Sequence, residues 1–210
     1  MRIPETDIHC HILPGIDDGA EDLDTALAMA QAAVKAGFKT LIATPHYETY
    51  CFENTREVVL AQVADFQSAL TREGIPLQVL PGSEVMLGPE IPKLLAQQRL
   101  MTLRDECRQL LVELPLQTFP LWAEAVLYEI QLQGIQTLLA HPERYQWLDS
   151  RLDWLYEYKE KGGLVQGNLG SLIGKYGGRA EKKAQLMLRE GLADFWGSDA
   201  HSVHSYESLI

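Results

Sequence analysis

Gly134-Ile135-Gln136-Thr137-Leu138-Leu139-Ala140-His141-Pro142-Glu143-Arg144 is the stretch on which the fold turns. A Gly suited to close a preceding helix in the left-handed conformation leads into a short apolar run, which ends in a cluster of polar side chains. So short and continuous an apolar run suits a strand buried on both faces, as in a parallel sheet. The same unit recurs on either side. Gly37 leads into Thr40-Leu41-Ile42-Ala43 and then Thr44-Pro45-His46, and Gly74 into Leu77-Gln78-Val79-Leu80 and then Pro81-Gly82-Ser83-Glu84. Gly163 precedes Leu164-Val165-Gln166, which ends at Gly167-Asn168. Gly191 precedes Ala193-Asp194-Phe195-Trp196, which ends at Gly197-Ser198-Asp199-Ala200-His201.

Between these runs the apolar residues take helical spacing: Leu23, Leu27, Ala30 and Val34; Val59, Val63, Phe66 and Leu70; Trp122, Val126 and Ile130; Ala180, Ala184 and Met187. A first strand around Asp7 to His9 and another at Gln109-Leu110-Leu111-Val112 bring the count to about seven, alternating with helices as in a parallel α/β fold. A doubly wound sheet and a β/α barrel both satisfy that alternation. Nearly every strand here ends in candidate ligands, whereas an open sheet gathers its site at one switch point, so a barrel is expected. No linker or low-complexity segment divides the chain, and residues 1–210 read as one domain. Glu90 to Cys107 reads as a helical turn and a short hairpin inserted before the fourth strand.

The chemistry lies at the ends of the runs. His9-Cys10-His11 places two imidazoles on one side of an extended strand, where both can reach one cation; Asp199-Ala200-His201 repeats that spacing. Of the 6 histidines, His9, His11, His46, His141 and His201 fall at predicted strand ends, and His204 reads as a surface residue. Glu84, Glu113 and Asp199 share that location, and a carboxylate after Leu110-Leu111-Val112 would be costly to bury without a cation or a salt-bridge partner. Asp18 has two readings, as a ligand or as a helix N-cap with Glu21 completing a capping box. Arg144, three residues after His141, is either a phosphate clamp or a surface residue. Nitrogen and carboxylate donors without thiolates suit Mn²⁺, Fe²⁺ or Zn²⁺, and the donor count suits two or three ions. Three such cations against four carboxylates would leave roughly +2, which attracts a phosphate monoester.

Bulk properties exclude several alternatives. The net charge of -11 argues against a nucleic-acid backbone as ligand. No apolar run approaches the roughly 20 residues of a membrane-spanning helix. Met1-Arg2-Ile3-Pro4-Glu5 lacks a signal-peptide pattern, so the cytoplasm is the expected compartment. The 3 cysteines are scattered and read as reduced thiols. A thiol phosphatase needs Arg six residues after its Cys; Cys10, Cys51 and Cys107 are followed there by Ile16, Glu57 and Glu113, which excludes that class. Amidohydrolases also place His-x-His on a barrel, but no strand-end Lys offers the bridging ligand that they commonly use.

The motifs from Asp7 to Gly19, together with Ala43-Thr44-Pro45-His46-Tyr47, Gly82-Ser83-Glu84-Val85, Val112-Glu113-Leu114-Pro115, Ala140-His141-Pro142-Glu143-Arg144-Tyr145, Asn168 to Gly174 and Gly197 to Ser202, resemble the polymerase-and-histidinol-phosphatase (PHP) superfamily in order and nearly end to end. Within it they look most like the bacterial manganese-dependent protein-tyrosine phosphatases of capsule and exopolysaccharide synthesis. That resemblance implies a distorted seven-stranded TIM-like β/α barrel with three metals. One site would use His9, His11, Glu84 and Asp199; a second Glu84, Glu113 and His141; a third Asp18, His46 and His201. It implies in-line attack on phosphorus by metal-bound hydroxide, with Arg144, His46 and Asp199 nearest the chemistry. The implied substrate is a phosphotyrosyl protein, such as a bacterial tyrosine kinase of polysaccharide synthesis. The alternatives are a small phosphomonoester such as histidinol phosphate, or an inactive metal-binding relative. The family pattern carries an Arg after the last Asp-x-His and continues further; Ser202 to Ile210 contains none, so a barrel without its final helix and second clamp is expected.

Overall fold

Left-handed glycines end the helices that feed the second and last strands: Gly37 (φ 101°) and Gly191 (φ 64°) each satisfy carbonyls of the turn before them. The structure is a computed structural model describing residues 3–210; Met1 and Arg2, at which the signal-peptide reading begins, lie outside the described residues. The chain runs β1 (Thr6–Cys10), α1 (Leu23–Ala36), β2 (Thr40–Ala43), β3 (His46–Glu48), β4 (Phe52–Glu53), α2 (Arg56–Arg72), β5 (Gln78–Pro81) and β6 (Glu84–Met86). It continues through α3 (Ile91–Ala96), β7 (Gln109–Glu113), α4 (Ala123–Leu132), β8 (Gln136–Ala140), α5 (Leu152–Glu160), β9 (Leu164–Asn168), α6 (Leu169–Leu172), α7 (Gly178–Glu190), β10 (Phe195–Gly197) and α8 (Val203–Glu207).

The sequence alternation becomes a barrel through two broken staves. Thr44-Pro45 separates β2 from β3, and Gly82-Ser83 separates β5 from β6, so the lower halves pair as β1-β2-β5 and the upper halves join β10-β9-β8-β7-β6-β3. Closure comes from the ends of the chain: the Asp199 N–H donates to the His9 carbonyl at 2.8 Å and the His11 N–H to the Ala200 carbonyl at 2.9 Å. Counting each broken stave once, the barrel comprises β1, β2/β3, β5/β6, β7, β8, β9 and β10. That is the distorted TIM-like barrel expected.

Ile42, Leu103, Leu111, Leu138 and Ala140 fill the lumen beneath the strand ends, joined by Ile8, Leu80 and Leu164. The larger apolar clusters lie between the staves and the helices outside them. One expectation needs correction. Glu90 to Cys107 holds α3 and a short 3₁₀ turn (Leu103–Asp105) but no hairpin, because Leu103 turns inward to plug the barrel. The antiparallel pairing is instead that of β3 with β4. The stretch after β10 forms the short helix α8, whose Tyr206 is buried edge-on to Phe38 at 5.6 Å.

Candidate metal centre

An irregularity in β1 aims the first two imidazoles. Asp7 pairs with Leu41 and Cys10 with Ala43, so one extra residue is accommodated on β1. Such a bulge re-aims side chains: Ile8 packs into the lumen while His9 lies above it in the centre. Cys10 faces outward into the cluster with Met29 and Ala30, and its thiol donates to the Ile42 carbonyl. His141 (φ 31°) and Asp199 (φ 50°) sit at strand ends in the left-handed region that non-glycine residues seldom occupy, a strain that gathers at functional sites.

The structure brings all nine expected ligands together. His9, His11, Glu84 and Asp199 form one buried group of mutually close donor atoms, and His11, Asp18, His46 and His201 a second, more open one. His46, Glu84 and Glu113 form a third. The expected set of Glu84, Glu113 and His141 is present beside it: His141 Nε2 lies 2.9 Å from Glu84 Oε1 and 3.7 Å from Glu113 Oε1. Asp18 is not the N-cap; Asp22 caps α1 by accepting from the Thr25 N–H, which leaves the Asp18 carboxylate 3.3 Å from His201 Nε2 and 3.5 Å from His46 Nε2.

Tautomers test whether a cation fits. His9 Nδ1 donates to the Gln166 Oε1 at 2.9 Å, and His11 Nδ1 donates to Asp17 Oδ2 at 2.8 Å. With both Nδ1 positions engaged as donors, the Nε2 atoms of neutral rings present lone pairs to each other across 3.2 Å. Glu84 Oε2 also lies 3.1 Å from His9 Nε2, 3.3 Å from His11 Nε2 and 3.3 Å from His46 Nδ1, yet has no hydrogen-bond partner among the described residues. Electron pairs converge on shared space with outer acceptors fixing each ring, and that donor set fits divalent transition metals.

The imidazoles and carboxylates shift one another's ionisation. Burial disfavours the His9 imidazolium, but Glu84 and Asp199 outweigh that and push it up to about 9. Burial opposes ionisation of Glu84 and Asp199 too, and the imidazoles nonetheless hold both well below the usual carboxylate range. Glu113 is pushed up to about 7 by burial and by Glu84. His46 and His201 are lowered, first by burial.

A cavity of about 240 Å³ opens over the centre. All the expected ligands line it except His9 and His11, which are buried behind it; Arg144, Glu48 and Phe52 complete its wall. Arg144 NH1 donates to Asp199 Oδ2 at 2.7 Å, and its guanidinium rests 4.6 Å from the centroid of the Tyr176 ring. His204 is exposed on α8, away from these groups.

The sequence profile described as "Capsular polysaccharide synthesis, CpsB/CapC" matches residues 5–208. The chain belongs to the CpsB/CapC family. The tyrosine-protein phosphatase YwqE of Bacillus subtilis is 38% identical over 208 residues, covering 97% of this chain and 82% of its own. Crystal structures of YwqE and of CpsB from Streptococcus pneumoniae, described as metal-dependent tyrosine phosphatases, give a match with a TM-score of 0.90 at 38% identity, over 96% of this chain and 81% of the other. A histidinol phosphate phosphatase from Lactococcus lactis, solved with zinc, L-histidinol and phosphate, matches with a TM-score of 0.58 over 98% of this chain and 92% of its own. At 12% identity that likeness concerns the fold, and it is the fold expected from the PHP motifs.

Sequence reading of this CpsB/CapC chain missed three residues that hydrogen-bond to the expected ligands. Asp17 Oδ2 accepts from His11 and from the His46 backbone N–H (3.1 Å), while its Oδ1 accepts from Gly19. Gln166, besides orienting His9, donates to Asn168 Oδ1, and Asn168 in turn donates to Asp199 Oδ2 at 2.7 Å. An amide inside the apolar run Leu164-Val165-Gln166 was the available signal for Gln166; Asp17 was masked by the neighbouring Asp18.

Proposed function

We propose that this chain is a metal-dependent protein-tyrosine phosphatase that removes phosphate from a tyrosyl protein of capsule or exopolysaccharide synthesis. One observation carries the reading: in a CpsB/CapC chain, nine imidazole and carboxylate side chains converge beneath one mouth, with bare electron pairs facing shared space. In this reading His9, His11, Glu84 and Asp199 hold one cation; Glu84, Glu113 and His141 a second; and Asp18, His46 and His201 a third. Divalent cations held there supply Lewis acidity toward phosphate and water activation at neutral pH. Mn²⁺ is the proposed ion, with Fe²⁺ and Zn²⁺ its competitors for this nitrogen and oxygen donor set.

The chain's own residues orient and clamp. Asp17 and Gln166 hold the His11 and His9 rings so that Nε2 faces inward. Asn168 and Arg144 engage Asp199 Oδ2, leaving Oδ1 directed at the imidazoles. Guanidinium has five donors, and Asp199 takes one from Arg144, so a phosphate oxygen in the cavity can take others. A tyrosyl leaving group, with a pKa near ~10, needs little protonation, so positive charge around the phosphate can carry most of the catalysis.

No helix among the described residues is long and apolar enough to cross a membrane. The proposed setting is the cytoplasm, with residues 1–210 acting as one metallophosphatase domain and a tyrosine kinase of polysaccharide synthesis as the substrate protein. The test combines metal analysis of the purified chain with assays on phosphotyrosyl peptide, phosphoseryl peptide and histidinol phosphate, each with added Mn²⁺, Fe²⁺ or Zn²⁺. Preferred turnover of phosphotyrosyl peptide with more than one metal per chain is expected. Preference for histidinol phosphate rejects the substrate; no turnover with metal bound identifies an inactive relative.

A further inference from the structure

We infer that Phe52 is a specificity-determining residue whose ring forms the wall against which an aromatic leaving group packs, so that the centre selects aryl over alkyl phosphates. This rests on the phosphotyrosyl reading above and deepens it. Phosphate esters of tyrosine, serine and small alcohols present the same dianion, so charge at the centre attracts them alike. Selection has to come from what meets the rest of the substrate.

Phe52 is the one hydrocarbon side chain in the described wall of the cavity; the others carry imidazole, carboxylate or guanidinium groups. Its ring stacks on the proposed ligand His46, with centroids 5.9 Å apart and planes 19° apart. The hairpin that carries it starts at His46 itself, with Glu48 opposite Phe52 and Tyr47 opposite Glu53. Asn54 fastens its base by donating to the His46 carbonyl at 2.9 Å and to the Ile16 carbonyl at 2.8 Å. Glu53 fastens its tip by accepting from the Tyr50 N–H at 3.2 Å. The ring is thus placed in advance relative to the centre, and a benzene ring attached to a phosphate held there can meet it edge-on or offset.

The experiment uses the full chain loaded with Mn²⁺. It measures kcat/KM for phenyl phosphate and propyl phosphate, and inhibition constants for phenylphosphonate and propylphosphonate. Aryl esters are intrinsically faster, so the quantity of interest is the change in the aryl-to-alkyl ratio on substitution, from which that reactivity cancels. Phe52→Leu, which keeps apolar bulk without a ring, should lower the ratio about threefold to tenfold in both measurements. Phe52→Tyr should retain it. Phe52→Met replaces Phe52→Leu if the latter fails to fold or to load metal. Ratios in the ringless variants within twofold of the parent's would overturn the inference, as would a parent that binds the two phosphonates equally. A parent with the expected ratio that ignores phosphotyrosyl peptides would overturn the protein-substrate reading instead.

Discussion

Asp17 places one carboxylate oxygen between a proposed ligand's ring and another ligand's backbone, reaching His11 and His46 at once. Carboxylates behind metal-binding imidazoles fix the tautomer and raise ring basicity, and losing one typically costs about 10–100-fold in metal affinity. Asp17→Asn should therefore weaken metal binding by about that factor with the far-ultraviolet spectrum unchanged; unaltered affinity in a chelator-competition titration would refute it. Arg144→Ala removes a charge-assisted contact worth roughly 1.5–3 kcal/mol, so kcat/KM on phosphotyrosyl peptide should fall about tenfold to hundredfold. Arg144→Lys should recover only part of that loss, because a point charge does not replace the guanidinium fork. Equal kcat/KM for parent and Arg144→Ala excludes the clamp. Eight of the nine candidate ligands were legible because each stands where an apolar run stops, and Asp18 was legible only as one of two readings. Asp17 was not, since its partners are chosen through space by a loop that doubles back.

That loop, between β1 and α1, shows how closely an element can be packed around the centre. The Ala20 N–H returns to the His11 carbonyl at 3.1 Å, and Gly15 closes onto Ala20 at 2.8 Å. A Cβ on Gly19 would fall 2.0 Å from the His11 carbonyl oxygen and 2.5 Å from the His11 Cβ. Backbone and Cβ cannot step aside as a flexible side chain can. Gly19→Ala should destabilise the protein by about 3 kcal/mol or more in urea unfolding and lower its metal content. A midpoint shift too small to resolve, with metal retained, would show that the loop has more room than this packing implies. Helices were legible at this scale: the spacing of Val59, Val63, Phe66 and Leu70 reappears as the buried face of α2. Strands were legible only as single runs, whereas two of the seven staves are broken and change sheets partway. The β3–β4 hairpin, too short to show alternation, was invisible.

Across the whole molecule, bound metal and bound protons compete for one buried centre. In the metal-free protein His9 is raised from 6.5 to about 9, a folded-state value above the unfolded one. Its contribution is therefore fully present below pH 6.5 and is lost as pH rises through 9, amounting to about 3 kcal/mol at most. Glu84 and Asp199 are depressed, so theirs is present above the ordinary carboxylate range and lost only on strong acidification. A cation replaces the His9 proton and removes that alkaline loss. The drop in Tm caused by chelation should therefore widen from pH 6.5 to 9, as read by paired calorimetry with and without EDTA. A drop that stays constant or narrows over that range would mean that the proton and the cation do not share the site.

Local pattern determined the alternation of strand and helix, the strand ends at which candidate ligands stand and the lack of a thiol-phosphatase motif, because periodicity and spacing are carried by neighbouring residues. Tertiary structure alone decided which runs pair, how Asp199 and His9 close the barrel, which way the bulge turns His9, and how Asp17, Gln166 and Phe52 meet the centre. Those outcomes depend on hydrogen bonds and ring contacts between segments far apart in the chain, and periodicity reports that a residue is buried without naming what it is buried against.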